Sequence, residues 1–306
     1  MTVDQLSSAK RELRIVSLLP SATEIVCALG LERNLVGVTH ECDYPPSVRH
    51  KPVLTSSVLS SSKDSGEIDQ HIRALVHAGS SIYRLDAQRL ESLRPDLILT
   101  QELCEVCAVS YPIVERAVRR MDGTAQLVSL EPESLDDVFH TIETVGRLID
   151  REAHARVVVG ELRRRVQAVK TALAGRPRRR VVCLEWIDPL FGSGHWTPEL
   201  VRLAGGEEYL GHAGRRAEPV TAAEVAAAHP EVVVVMPCGF GLERTGEEAQ
   251  RSTVLAGLGG ELWIVDGNAY FSRPGPRLTD SLEIMAAILH PEVMGPPPPE
   301  AARRLR

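Results

Sequence analysis

Aromatic residues are scarce in this sequence: four Phe, five Tyr and three Trp in 306 positions. An aliphatic core of Val, Leu, Ile and Ala therefore has to supply the packing. Long apolar runs are missing too. No window approaches the ~18 apolar residues of a membrane-spanning helix, and the opening MTVDQLSSAKRELR contains no apolar stretch of the secretory kind. The expectation is a cytoplasmic protein without membrane insertion, or a periplasmic one if an upstream signal has been removed. A positive field is also absent: 35 Lys and Arg face 41 Asp and Glu, a net charge of −6, which excludes recruitment of nucleic acid by overall charge. A dense basic run, Arg176, Arg178, Arg179 and Arg180, reads as a solvated linker before a strand. GxSxG, P-loop and HExxH signatures do not occur, so no catalytic residue is assigned and the chain reads as a non-enzyme.

What the chain does carry is alternation. Short aliphatic runs at 14–19, 35–39, 97–100, 126–130, 181–185, 232–236 and 263–266 alternate with helical patterns, the signature of an α/β fold on parallel sheets. Ser21 and Glu24 stand at capping-box spacing in a helix that Gly30 would end. The two halves also echo each other. RIVSL at 14–18 resembles RVVCL at 180–184, ALGLE at 28–32 resembles LAGGEE at 203–208, and RPDLILT at 94–100 resembles HPEVVVV at 229–235. Two similar lobes are predicted. Between them, Leu135, Val138, Phe139, Ile142, Val145 and Ile149 recur at helical steps, and a second such run covers 155–173. The predicted organisation is an amino-terminal lobe over 1–131, a helical connector over 132–175, a carboxy-terminal lobe over 176–292 and a disordered proline-rich tail over 293–306.

In open parallel sheets, ligands bind outside the carboxyl ends of the strands. Eight of the 12 aromatics belong to the loops predicted there: Tyr44, Tyr111, Trp186, Phe191, Trp196, Phe240, Tyr270 and Phe271. That concentration points to an apolar, polarisable wall for a large flat ligand. Arg273, in the proline-stiffened FSRPGPR segment, is a candidate contact for an anionic or amide-bearing ligand. Four cysteines fall at the same level, Cys42, Cys238 and the CxxC pair Cys104 and Cys107, with His40 and His195 near them in sequence. Thiolate and imidazole are ligands that zinc or copper takes. They open a second reading, a cytoplasmic zinc- or copper-binding protein or metalloenzyme using Cys42, Cys104, Cys107, Cys238 and His40. Cys27 and Cys183 read as core filler.

The segments LLPSATEIVCALGL, THECDYP, RPDLILTQ with its CxxC loop, EWIDPLFGSGHWTPELVRLAGG and FSRPGPRLTDSLEIMA resemble the cobalamin-binding proteins of the helical-backbone (class III) periplasmic-binding-protein family. This class contains the substrate-binding components of iron-siderophore, haem and cobalamin transporters. The resemblance covers about residues 13–292. It implies two Rossmann-like lobes joined by a rigid connecting helix, a ligand cleft between them, and cobalamin, a large tetrapyrrole-type ligand, held largely by apolar contacts. A transporter permease is the implied partner. Carried over by position, the implied ligand contacts are Pro20, Ser21 and Tyr44 in the first lobe, and Trp186, Phe191, His195, Trp196, Phe240 and Tyr270 in the second.

Overall fold

In the computed structural model, residues 12–59, 64–77, 82–101, 111–121 and 125–306 are described. The protein is an α/β fold with parallel sheets, divided into two compact units: Met1–Ser56 with Tyr83–Ser129, and Ser57–Ile82 with Leu130–Arg306.

The first unit carries β1 (Ile15–Ser17), β2 (Leu35–Gly37), all but the last residue of β3 (Thr55–Ser57), β4 (Tyr83–Leu85), β5 (Leu97–Thr100) and β6 (Gln126–Ser129). A parallel sheet runs in the order β2-β1-β5-β6, and β3 and β4 form a separate short pair. Every residue of β1 and β5 is buried, as expected of strands covered on both faces. The helix Pro20–Ala28 starts on Pro20 after an extended Leu19, without a side-chain cap. The capping box anticipated from Ser21 and Glu24 does not form. Pro20 presets the helical φ at the first position and has no N–H to satisfy, which moves the start upstream and buries Ser21 and Glu24 inside the helix.

The second unit carries β7 (Arg179–Leu184), β8 (Gly206–Glu208), β9 (Val232–Val235), β10 (Glu261–Val265) and β11 (Ala302–Arg304), in the order β8-β7-β9-β10-β11. The strands are parallel except for β11, which is antiparallel to β10. Apart from β11 this is the order of the first sheet, and the echo extends to individual hydrogen bonds. Asp96 N donates to Arg14 O (2.8 Å) while the Asp96 carboxylate accepts from Arg14 N (2.8 Å). Likewise Glu231 N donates to Arg180 O (2.9 Å) and the Glu231 carboxylate accepts from Arg180 N (3.0 Å). Even the left-handed residue ahead of the proline recurs, Arg94 at φ 43° and His229 at φ 46°.

The helical stretch resolves into Leu135–Leu148 and Glu152–Ala172, both in the second unit. A Cβ on Gly146 would lie 2.5 Å from that of Ala155, so glycine is what lets the two helices approach. The Arg165 guanidinium bonds Glu283 (2.6 and 2.9 Å) and Asp280 (2.6 Å) on the well-buried helix Leu278–Leu289. Two elements depart from expectation. Helix Ser65–His77 groups with the second unit although its residues precede the second half of the first sheet. The tail is ordered rather than disordered. Prolines 296–299 cannot donate to a ladder, but the chain after them pairs β11 with β10, and Arg306 bonds the carbonyls of Ala256 and Leu258. The edge of the sheet is thereby covered.

Candidate functional site

In the second unit, the loop after β7 is built around Glu185. Its carboxylate accepts from Gly194 N and Thr197 Oγ1, each at 3.0 Å, which fixes the backbone between Trp186 and Trp196. A Cβ on Gly194 would meet Arg215 O and Ala217 N at 2.5 Å. Next to it His195 takes φ 47° and donates its N–H to Arg215 O (2.6 Å). The imidazole of His195 stacks on the Trp196 ring at 5.5 Å and 28°. Burial lowers its pKa, and among the described residues its buried Nδ1 has no hydrogen-bond partner.

Two further strand-end loops close on this one. Trp196 Nε1 donates to Phe271 O (2.9 Å). Phe271 lies in the wide turn Gly267–Phe271, capped by Asp266 Oδ1 accepting from Ala269 N (2.7 Å). Asn268 N donates to Phe240 O (3.0 Å), and Phe240 meets Trp186 with centroids 5.1 Å apart. The guanidinium of Arg244 sits 3.6 Å over the Phe240 ring, a cation–π contact. Trp186, His195, Trp196 and Phe240 are thus linked by ring contacts and backbone bonds, Phe191 pairs with Trp186 through a backbone bridge, and Tyr270 and Arg273 lie on the loop of Phe271. They are not equally available. Trp196, Phe240 and Arg273 are 8, 2 and 4% exposed, whereas Trp186, Phe191, His195 and Tyr270 are half-buried. The first three are packed inside, and the other four keep part of their surface exposed.

In the first unit, the loop after β2 holds His40, Cys42 and Tyr44. Tyr44 is exposed and precedes a cis peptide bond to Pro45. His40 is also exposed, its Nδ1 paired with Thr55 Oγ1 at 2.7 Å. Ser21 is buried and Pro20 half-buried at the helix start. Cys42 does not point outward: its thiol lies against the hydroxyls of Thr23 (3.1 Å) and Thr39 (3.4 Å) and is 6% exposed. Cys238 belongs to the second unit and is half-buried, while Cys104 and Cys107 lie outside the described residues. Among the described residues no group of three or more Cys, His, Asp or Glu could hold a metal ion. The zinc or copper cluster expected from Cys42, Cys104, Cys107, Cys238 and His40 is therefore not supported. The physical reason is the inward turn of Cys42, which fills a threonine-lined niche. Cys27 and Cys183 are free thiols whose pKa burial raises, that of Cys27 to about 12.

A family model described as periplasmic binding protein matches residues 15–258. The chain belongs to this family. Among curated relatives, the vitamin B12-binding protein of Vibrio cholerae serotype O1 is 23% identical over 278 residues, 90% of this chain and 88% of the relative. The vitamin B12-binding protein of Yersinia pestis is 24% identical over 72% of this chain and 69% of its own. Among solved structures, a periplasmic heme-binding protein from Pseudomonas aeruginosa superposes with a TM-score of 0.68 at 20% identity, covering 96% of this chain and 95% of its own. The periplasmic vitamin B12 binding protein BtuF of Vibrio cholerae gives 0.61 at 20% identity, covering 90% and 95%. These relatives are binding proteins rather than enzymes, and their periplasmic names lend no support to the cytoplasmic placement read from the first residues. No helix among the described residues is long and apolar enough to cross a membrane.

For a periplasmic binding protein, the strand-end loops are the place to seek ligand contacts, and two features there escaped the sequence reading. One is Glu185, which passes for a surface charge but organises the loop. The other is Ser65, whose carbonyl accepts from Trp186 Nε1 (3.2 Å) and whose N–H donates to Glu248 Oε2 (3.1 Å). The signal was present as Asp64 ahead of a helical pattern, now seen as Asp64 Oδ1 accepting from Glu67 N (2.9 Å). Nothing local connects that helix start with a tryptophan 121 positions on.

Proposed function

We propose that this protein binds a large tetrapyrrole-type ligand, cobalamin first among them, through the aromatic loops at the carboxyl edge of the second sheet, and passes it to a transporter permease. The observation that carries this reading is the aromatic group on the second sheet. Trp186, Phe191, His195 and Tyr270 stay partly exposed while Trp196 and Phe240 are buried, and the loops holding them are pinned by backbone hydrogen bonds. Preformed apolar surface with few ordering costs suits a large, rigid, flat molecule. The vitamin B12- and heme-binding names of the relatives support the same class. Burial lowers the pKa of the His195 imidazole, in keeping with an apolar wall.

The reading is tested by titrating the protein with cobalamins and with haemin, following tryptophan fluorescence and the visible spectrum. Saturable quenching by a cobalamin is expected, and Trp186→Ala should weaken it by about 1–2 kcal/mol. Haemin quenching without cobalamin quenching would redirect the ligand within the class. The absence of any response to either would overturn the proposal.

A further inference from the structure

Cys27 and Cys42 stand on neighbouring elements of the first unit, Cys27 on the helix Pro20–Ala28 and Cys42 on the loop after β2. The Cys42 thiol lies 3.1 Å from the Thr23 hydroxyl, and Thr23 is one helical turn from Cys27. Residues four apart on a helix share a face, with Cβ atoms about 6 Å apart. A sulfur packed on Thr23 is therefore placed beside the next residue of that face, which is Cys27. The two are close enough for a charge on Cys42 to disfavour one on Cys27. Their access to solvent differs: Cys27 is half-buried, whereas Cys42 is 6% exposed. A reagent from outside meets Cys27 first. The contacts of Cys42 with Thr23 and Thr39 (3.4 Å) are weak sulfur–hydroxyl bonds, which a covalent bond easily displaces.

We propose that Cys27 and Cys42 form a redox pair that closes to an intramolecular disulfide by exchange with an external disulfide, tying the loop of His40 and Tyr44 to the helix. Cys27 first loses its proton to solvent and attacks one sulfur of the oxidant. The S–S bond of the oxidant breaks, a mixed disulfide forms on Cys27, and the released thiolate takes up a proton. Cys42 then loses its proton and attacks Cys27 Sγ, expelling the second half of the oxidant, which leaves as a thiol. Two protein thiols are oxidised by two electrons and one external disulfide is reduced to two thiols. Burial, with Glu32 nearby, pushes the Cys27 thiol up to about 12, opposed by Lys51. The thiolate that attacks is therefore scarce at neutral pH, and closure is slow there.

The test incubates the whole reduced chain with oxidised glutathione, blocks remaining thiols with N-ethylmaleimide, and maps tryptic peptides without reductant. Cleavage after Arg33 leaves Cys27 in residues 15–33 and Cys42 in residues 34–49, so the bond joins two peptides that otherwise separate. The joined pair is expected, forming about tenfold faster for each unit of pH above neutrality, as the thiolate fraction rises. Cys42→Ser should stop at glutathione on Cys27, and Cys27→Ser should leave Cys42 to the blocking reagent. Wild-type protein in which Cys27 keeps its glutathione, or in which Cys42 joins a cysteine other than Cys27, would overturn the pairing. So would a Cys27 that stays inert to glutathione as the pH is raised.

Discussion

The loops at the carboxyl ends of the two sheets arise from echoing sequence and, apart from β11, the same strand order, yet they differ in how their aromatic residues are held. In the second unit both indole N–H groups of the site are bonded to backbone carbonyls, Trp186 to Ser65 and Asp188 and Trp196 to Phe271. In the first, His40 and Tyr44 are exposed, and among the described residues the His40 ring is bonded through Nδ1 alone. A repeat fixes topology because strand order follows from right-handed crossovers and apolar burial. It leaves the loops free to diverge, one into a rigid wall and the other into a polar handle.

That contrast can be broken most forcefully at Trp196. Trp196→Ala removes a buried ring and the donor to Phe271, and should cost about 3–5 kcal/mol of stability in a denaturant titration. Tyr44→Ala, at 45% exposure, should change it by no more than about 0.5 kcal/mol. Comparable losses at the two positions would mean the second wall is not packed as described.

Next comes pH. Glu208, on edge strand β8, accepts from Cys183 N (3.0 Å) and Leu210 N (3.2 Å), and burial pushes its carboxyl up to about 7. The unfolded chain holds that proton only to about pH 4.3. The folded form therefore binds the extra proton between these values, and stability should fall as pH rises from about 4 to 7, by about 2–3 kcal/mol from this group. Glu208→Gln should flatten unfolding curves measured across that window. An unchanged slope would place the proton elsewhere.

A smaller effect sharpens the comparison at the loop hub. Glu185→Gln keeps the shape but weakens the two bonds to Gly194 and Thr197, and should cost about 1–2 kcal/mol, with faster hydrogen exchange at the Gly194 amide than in wild type. The smallest concerns Trp186→Phe, which keeps a ring against Phe240 but loses the N–H bonds. About 1 kcal/mol is expected, seen as loosened exchange protection in the first turns of helix Ser65–His77 rather than as global unfolding.

Much of the fold was legible. Runs such as VVVV at 232–235 announce strands covered on both faces, and the paired RPD and HPE segments announced a repeat that the Asp96 and Glu231 hydrogen bonds reproduce. Short polar strands were not legible: β8 reads GEE and β11 reads ARR, with no apolar period, and each is held by the ladder of its neighbour. The candidate site was legible as a set of residues and loops. Its division into exposed and buried rings was not, and neither was the inward turn of Cys42, because both depend on segments remote in sequence: Phe271 over Trp196, Arg244 over Phe240, Thr23 against the thiol.

Strand and helix alternation, the aliphatic core and the duplication of the lobes follow from the sequence alone, since periodicity and burial act over a few residues and repeat wherever the pattern repeats. Which of the scarce aromatics stay partly exposed, and which are covered, was decided only by tertiary structure. Exposure and hydrogen-bond partnership are set by whichever chain arrives from elsewhere to cover the group.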